Sequence, residues 1–107
     1  MYVLDDTIHT SALVAGHSKL SRRQLRDAVS SQCQRVIEAG DAAEAFELSR
    51  RYMPDLIVLE VETTHDILAL TKIHEDAELA GVPVICLPNA VEPAELTARV
   101  RAVLYDE

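Results

Sequence analysis

Motifs that mark common enzymes are absent from this sequence of 107 residues. It contains no GxGxxG or Walker loop for nucleotides, no GxSxG nucleophile elbow and no HExxH zinc motif. We therefore expect no catalytic residue, no cofactor and no enzymatic activity.

Cysteine is also scarce, and its placement excludes the usual metal and redox motifs. The two cysteines, Cys33 and Cys86, form neither a CxxC pair nor a His/Cys cluster with zinc-ligand spacing. We interpret both as small, buried thiols of a reduced cytoplasmic protein, without a metal site.

Basic residues are few, with ten Lys and Arg against 18 Asp and Glu, for a net charge of −8. The whole negative excess lies in residues 54–107. A nucleic-acid partner is not expected, because such binding needs a basic surface. No apolar run approaches the roughly 20 residues that span a membrane, so no membrane partner is expected. Asp5 and Asp6, without basic neighbours, are untypical of a signal peptide.

The residues that are present alternate between strand-like and helix-like patterns. Two groups of residues have the spacing of a buried helix face. The first is Leu25, Ala28 and Val29, and the second is Ile67, Leu70, Ile73 and Ala77. Alternation of this kind is typical of a doubly wound parallel α/β sheet. We predict an N-terminal extension over 1–10 and one domain over 11–105. Strands are predicted at 11–16, 36–39, 56–59 and 84–87, and helices at 20–31, 42–52, 65–79 and 92–104.

Several segments resemble the receiver domain of bacterial response regulators. Residues 54–60, which read Pro-Asp-Leu-Ile-Val-Leu-Glu, are similar to that family's third strand, which ends in the phosphoacceptor Asp. Similar matches lie at 12–17, 22–25, 39–45, 82–87 and 95–100. The resemblance implies a truncated flavodoxin-like fold with four strands in the order 2-1-3-4 and about four helices. It also implies a role in two-component signal transduction in bacteria.

In that family the acidic pair and the phosphoacceptor hold a magnesium ion, and the phosphorylation residues are replaced in this sequence. The phosphoacceptor position is Glu60, the acidic-pair positions are Gly16 and His17, and the switch position is Pro88. The Lys before the last helix is replaced by Glu92. The resemblance therefore implies an atypical receiver that is not phosphorylated, because the charges that stabilise phosphoryl transfer are missing.

Two ambiguities concern these positions. The segment 2–6 also resembles the first strand with its acidic pair, Asp5 and Asp6, but the shorter distance to Glu60 favours Gly16 and His17. Glu60 is either a built-in mimic of the phosphorylated state or a solvated remnant of a lost site.

A deletion follows the fourth strand. Only four or five residues separate Leu87 from the last helix, where the family has a helix and a fifth strand. The apolar fourth strand is then an unprotected sheet edge, which we expect to pair. We predict a homodimer built on this edge and the neighbouring last helix. The alternatives are pairing with segment 2–4 or with a partner's strand. The predicted dimer edge is Val84, Ile85, Cys86 and Leu87.

The first helix carries a basic stripe at helical spacing, and we interpret it either as a partner surface or as a solvated face. The partner would be a kinase, a phosphotransfer protein or an output domain. The function expected overall is protein–protein contact and dimerisation. The alternatives are a ligand or metal sensor at His17, Glu60, Glu62 and Asn89, or phosphorylation at an unconventional residue. The stripe consists of Lys19, Arg22, Arg23 and Arg26.

Overall fold

A computed structural model of the chain describes residues 10–87 and 93–105. Strands and helices alternate throughout, as the sequence pattern predicts. The strands are β1 (Ser11–Ala15), β2 (Arg35–Ala39), β3 (Leu56–Glu60) and β4 (Val84–Leu87). The helices are α1 (Lys19–Ser30), α2 (Ala42–Tyr52), α3 (Thr64–Glu75) and α4 (Pro93–Tyr105).

The four strands form one parallel sheet in the order β2-β1-β3-β4, which confirms the predicted topology. In this register Ala15 of β1 lies beside Leu59 of β3, and Glu60 lies beside Leu87 of β4. The carboxyl ends of β1 and β3 therefore meet at one edge of the sheet, where parallel α/β proteins place their functional groups.

The core has two layers, one on each face of the sheet. All five residues of β3 are buried, as expected for a central strand covered on both sides. Leu25 of α1 and Val100 of α4 belong to the cluster on one face. Ala45 of α2 and Ile73 of α3 belong to the cluster on the other. The predicted inner face of α1 is confirmed, since its buried residues are Leu25, Ala28 and Val29.

The first three helices are each capped at their start by a short polar side chain. The Ser18 hydroxyl accepts a hydrogen bond from the backbone of Ser21 at 3.0 Å, which fixes the start of α1. Asp41 accepts from the backbone of Glu44 at 2.8 Å and fixes the start of α2. Thr63 does the same for α3. These caps satisfy backbone donors that have no partner within the helix.

The third helix differs from its prediction in length and in orientation. It ends at Glu75 rather than at 79, because the Asp76 carboxylate accepts from the backbone of Glu78 at 2.9 Å and stabilises a turn instead. Its buried residues are Asp66, Ala69 and Ile73. The predicted inner residue Ile67 is 54 % exposed. Ala77, also predicted on that face, lies beyond the helix and is exposed.

The prediction of two buried thiols is half wrong. Cys33 is buried, whereas Cys86 is exposed. Side chains alternate between the faces of a strand, and β4 directs Ile85 and Leu87 into the cluster beneath α1 and α4. Cys86 points to the opposite face. Within the described part of the chain, the helix that follows β4 is α4, and it packs on the face of Ile85 and Leu87 instead. None of the helices in that part is long and apolar enough to cross a membrane.

Candidate functional site

The candidate site lies where β1 and β3 end. Gly16 and His17 directly follow β1, and Glu60 is the last residue of β3. The pairing of β1 with β3 brings these two chain segments side by side. The start of α3 completes the site with Asp66. The structure thus brings together Gly16, His17 and Glu60, as the sequence predicts, while Pro88, Asn89 and Glu92 lie outside the described residues.

Glu60 is not a solvated carboxylate. It is only 5 % exposed, and its Oε1 accepts a hydrogen bond from the backbone N–H of His17 at 2.9 Å. The side chain therefore turns back to the loop between β1 and α1. A buried carboxylate needs such a donor, because leaving it without a partner would cost several kcal/mol. Glu60 consequently serves as an internal link between β1 and β3.

Asp66 is a second buried carboxylate, with 2 % of the residue exposed. Its Oδ2 accepts from the backbone N–H groups of Glu62 at 2.9 Å and Thr63 at 3.0 Å. Its own N–H donates to Thr63 Oγ1 at 3.1 Å, which completes a capping box at the start of α3. The same Oδ2 also lies 2.8 Å from Nε2 of His17.

The His17–Asp66 contact couples the loop after β1 to the first turn of α3. The pKa of His17 is raised above its usual 6.5, first by the hydrogen bond to Asp66 and further by the negative charges of Asp66, Glu62 and Glu60, although burial opposes the shift. For Asp66 burial favours the neutral form, but hydrogen bonds from the Glu62 amide, His17 and the Thr63 amide outweigh it and lower the pKa. Each shift favours the charged form, so the pair carries opposite charges between the lowered pKa of Asp66 and the raised pKa of His17.

Gly16 occupies a position with little room for a side chain. A Cβ there would lie 3.1 Å from the backbone nitrogen of Arg22 and 3.1 Å from Cβ of Ser21. Its carbonyl accepts from Nη1 of Arg22 at 2.9 Å, which holds the loop against α1. An acidic residue at this position would require α1 to shift.

The predicted basic stripe on α1 divides into two parts. Arg26 donates to Glu38 of β2 at 2.6 Å, and Nε of Arg22 lies 3.9 Å from the same carboxylate. These two side chains thus face the sheet edge formed by β2. Lys19 and Arg23 are exposed and line, with the other two, an open cavity of about 440 Å³.

The magnesium ion that the receiver resemblance implies does not fit this set of donors. Magnesium needs near-octahedral coordination by oxygen. Here Gly16 supplies no side chain, the His17 ring is directed to Asp66, and the Glu60 carboxylate is held by a backbone N–H. Within residues 10–87 and 93–105, no group of three or more His, Cys, Asp or Glu side chains is arranged to hold a metal ion. The sensor alternative at His17, Glu60 and Glu62 gains no support from these contacts.

Asp66 is the site residue that the sequence reasoning missed. The signal that could have found it is the Thr63-x-x-Asp66 spacing, which is that of a capping box and predicts a helix start there. The burial of Asp66 and its contact with His17 depend on the packing of α3 against the sheet. Neither could be read from spacing alone.

Comparison with known proteins agrees with this architecture. No family model matches the chain. A curated relative, the polar-differentiation response regulator DivK of Brucella anthropi, is 28 % identical over 79 residues. That match covers 72 % of this chain and 64 % of the relative, slightly under two thirds of the relative's length. Over that region the chain is similar in sequence to this response regulator.

Solved response regulators share the fold of this receiver-like domain. The chemotaxis response regulator CheY4 of Vibrio cholerae superposes with a TM-score of 0.77 at 14 % identity, covering 89 % of this chain and 98 % of that one. A response regulator protein from Burkholderia multivorans gives a TM-score of 0.73 at 13 % identity, covering 94 % and 98 %. At such identities the likeness concerns the fold, and the resemblance seen in the sequence is confirmed at that level.

Proposed function

We propose that this receiver-like domain is a cytoplasmic signalling module that acts through protein–protein contact and is not phosphorylated at Glu60. The observation that carries the proposal is the internal use of both site carboxylates. Glu60 accepts from the His17 backbone at 2.9 Å, and Asp66 accepts from His17 Nε2 at 2.8 Å and from two backbone amides. Neither carboxylate is presented to a phosphodonor.

The electrostatics of the site support the same conclusion. Phosphoryl transfer depends on positive charges that stabilise the transferring group. At the carboxyl ends of β1 and β3, the ring of His17, whose pKa is raised, is already paired with Asp66. The domain then functions as a binding module rather than as an enzyme, and its surface carries the signal.

Incubation with acetyl phosphate and magnesium tests this proposal. We expect the intact mass of the wild-type protein to be unchanged. A Glu60→Asp variant, which restores the family's acceptor, is expected to remain unmodified as well, because Gly16 and His17 still supply no magnesium ligands. A response regulator of known activity serves as the positive control for the phosphodonor. An added phosphoryl group on the wild-type chain would refute the proposal.

The solvent-exposed side of α1 has the properties of a surface that binds a protein partner. Lys19 and Arg23 are exposed, and Leu20 between them is 65 % exposed. An apolar side chain flanked by positive charges complements an acidic surface that offers an apolar pocket. We assign this surface to a signalling partner, namely a kinase, a phosphotransfer protein or an output domain.

Charge reversal tests that assignment. The double variant Lys19→Glu with Arg23→Glu is expected to lose binding to a purified kinase or phosphotransfer domain in biolayer interferometry. The matched control is Lys72→Glu, an exposed change on α3 at the opposite face of the sheet. Equal binding by the double variant and the control would contradict the assignment.

The sheet edge supports dimerisation, the second part of the proposed function. Within the described residues β4 pairs only with β3, so its outer edge carries unpaired backbone groups. Edges of this kind pair with another chain unless charge or a bulge protects them. We propose a homodimer through Val84, Ile85, Cys86 and Leu87.

A lysine on the edge tests the dimer. Light scattering coupled to size-exclusion chromatography is expected to show a dimer for the wild type and a monomer for Cys86→Lys, because an exposed lysine blocks edge pairing. Gln24→Lys, an exposed substitution on α1, is the matched control and should leave the dimer intact. A monomeric wild type at micromolar concentration would contradict this part of the proposal.

A further inference from the structure

We propose that the His17 side chain takes the place of a divalent cation at the end of the sheet, tying the β1–α1 loop to the start of α3. The inference deepens the proposed function and rests on it, because both exclude phosphoryl chemistry at this site. Its basis is the arrangement of charge around three carboxylates: Glu60 at the end of β3, Glu62 in the loop that follows, and Asp66 in the first turn of α3.

The carboxylates need a positive partner. Glu60 and Asp66 are almost fully buried, and Glu62 lies between them along the chain. Buried charges are expensive unless they are paired and hydrogen-bonded. Backbone N–H groups contribute donors but no full charge.

His17, in the loop after β1, brings a group that can carry that charge into contact with Asp66. Its Nε2 lies 2.8 Å from Oδ2 of Asp66, and 30 % of the His17 side chain against 3 % of that of Asp66 is exposed. The backbone N–H of the same residue holds Glu60. The ring thus pairs with Asp66 while the backbone of the same residue holds Glu60, so the loop after β1 is bonded to two buried carboxylates on two elements.

Nearby groups leave this role to His17. The ring borders a cavity of about 270 Å³ whose other titratable lining groups are Asp41 at the start of α2, and His65 and Asp66 at the start of α3. Glu60 and Glu62 add negative charge from the end of β3. Among the residues that the structure describes, no lysine or arginine lines this cavity. His17 is the histidine in hydrogen-bond contact with a buried carboxylate there.

The test reverses the charge at position 17 and measures the melting temperature with and without millimolar magnesium. His17→Asp places a third oxygen ligand beside Glu60 and Asp66, which is the chemistry that magnesium prefers. This variant is expected to melt several degrees below wild type without magnesium and to recover on its addition, because a ligand that binds the native state stabilises it.

His17→Asn is the matched control, since it removes the charge without adding a carboxylate. Its melting temperature is expected to lie below that of wild type and to be the same with and without magnesium. The melting temperature of wild type is also expected to be the same with and without magnesium. Three results would overturn the inference: a wild type that magnesium stabilises, a His17→Asp variant as stable as wild type without magnesium, or a destabilised His17→Asp variant that does not respond.

A measurement on the wild-type chain covers the case in which His17→Asp does not fold. Magnesium titration of an isotope-labelled sample is expected to leave the amide resonances of His17, Glu62 and Thr63 in place, and saturable shifts at these amides would overturn the inference. Different results would contradict the proposed function and the role assigned to His17. A phosphorylated mass contradicts the proposed function, whereas magnesium binding without phosphorylation contradicts only the role assigned to His17.

Discussion

Replacing Asp66 by asparagine tests the energetic role of the His17–Asp66 pair. The amide has the size of the carboxylate and can still accept from the backbone of Thr63, but it carries no charge. Hydrogen bonds to charged groups contribute about 1.5–3 kcal/mol, against about 1 kcal/mol for neutral ones. A carboxylate in the first turn of a helix adds roughly 0.3–1 kcal/mol. We therefore expect Asp66→Asn to lower the free energy of unfolding by about 2–3 kcal/mol near pH 6.

The loss should depend on pH in a defined direction. Because the pKa of His17 is raised in the folded state, its contribution is complete below its usual 6.5 and is lost as pH rises through the raised value. Because the pKa of Asp66 is lowered, its contribution is present above its usual 3.8 and is lost as pH falls through the lowered value. The stability difference should be largest between these limits and shrink to about 1 kcal/mol in alkaline solution, where only the helix cap remains.

Urea denaturation followed by circular dichroism measures this difference at mildly acidic and at alkaline pH. Asp27→Asn on α1 is the matched control, since it makes the same chemical change at an exposed position. The control should differ from wild type by less than about 0.5 kcal/mol at both pH values. A loss in Asp66→Asn that is the same at both, or no loss at all, would refute the reasoning.

Three further predictions concern packing and capping, and each is measured by urea or thermal denaturation. Gly16→Ala should cost about 1–3 kcal/mol, since the added Cβ lies 3.1 Å from a backbone nitrogen of α1, whereas Gly40→Ala, with its nearest neighbour at 3.4 Å, should be nearly neutral. Leu13→Ala should cost about 2–5 kcal/mol, and Leu20→Ala, at a 65 % exposed position, less than about 0.5. Thr63→Ala should cost about 1 kcal/mol by removing the N-cap of α3. Equal effects within either pair, or a neutral Thr63→Ala, would contradict the packing and capping described.

The fold could be predicted because its signals are local. The continuous apolar run in β3 indicates a strand covered on both faces, and all of its residues are buried. The spacing of Leu25, Ala28 and Val29 sets the inner face of α1. Alternation of such segments leaves few topologies, since parallel crossovers are almost always right-handed. The strand order follows from the receiver resemblance and not from periodicity alone.

Local patterns were misleading at α3, which belongs to the site. Ile67 and Leu68 are apolar yet 54 % and 56 % exposed, while the charged Asp66 is buried. Periodicity assumes that apolar side chains face the core, and here the capping box and the contact with His17 set the rotation of the helix instead. Such reversals concentrate at functional sites, where local preference and tertiary contacts disagree.

The site was predictable only as far as strand ends could be located. Spacing and the receiver resemblance placed Gly16, His17 and Glu60 at neighbouring strand ends, and the pairing of β1 with β3 brings them together. The contact between His17 and Asp66 joins residues 49 positions apart. No periodic signal reports a contact of that range. The burial of Glu60, which removes the choice of a solvated remnant, likewise depends on the packed structure.

The central claim is that His17 is bonded to Asp66 in the folded protein and that this contact raises the pKa of His17. Nitrogen-resolved NMR of the imidazole ring over a pH titration tests it most directly. We predict that His17 titrates above its usual 6.5 in the wild type and that its pKa falls in Asp66→Asn. A His17 ring that titrates at or below 6.5 in the wild type, or identically in both proteins, would contradict the account.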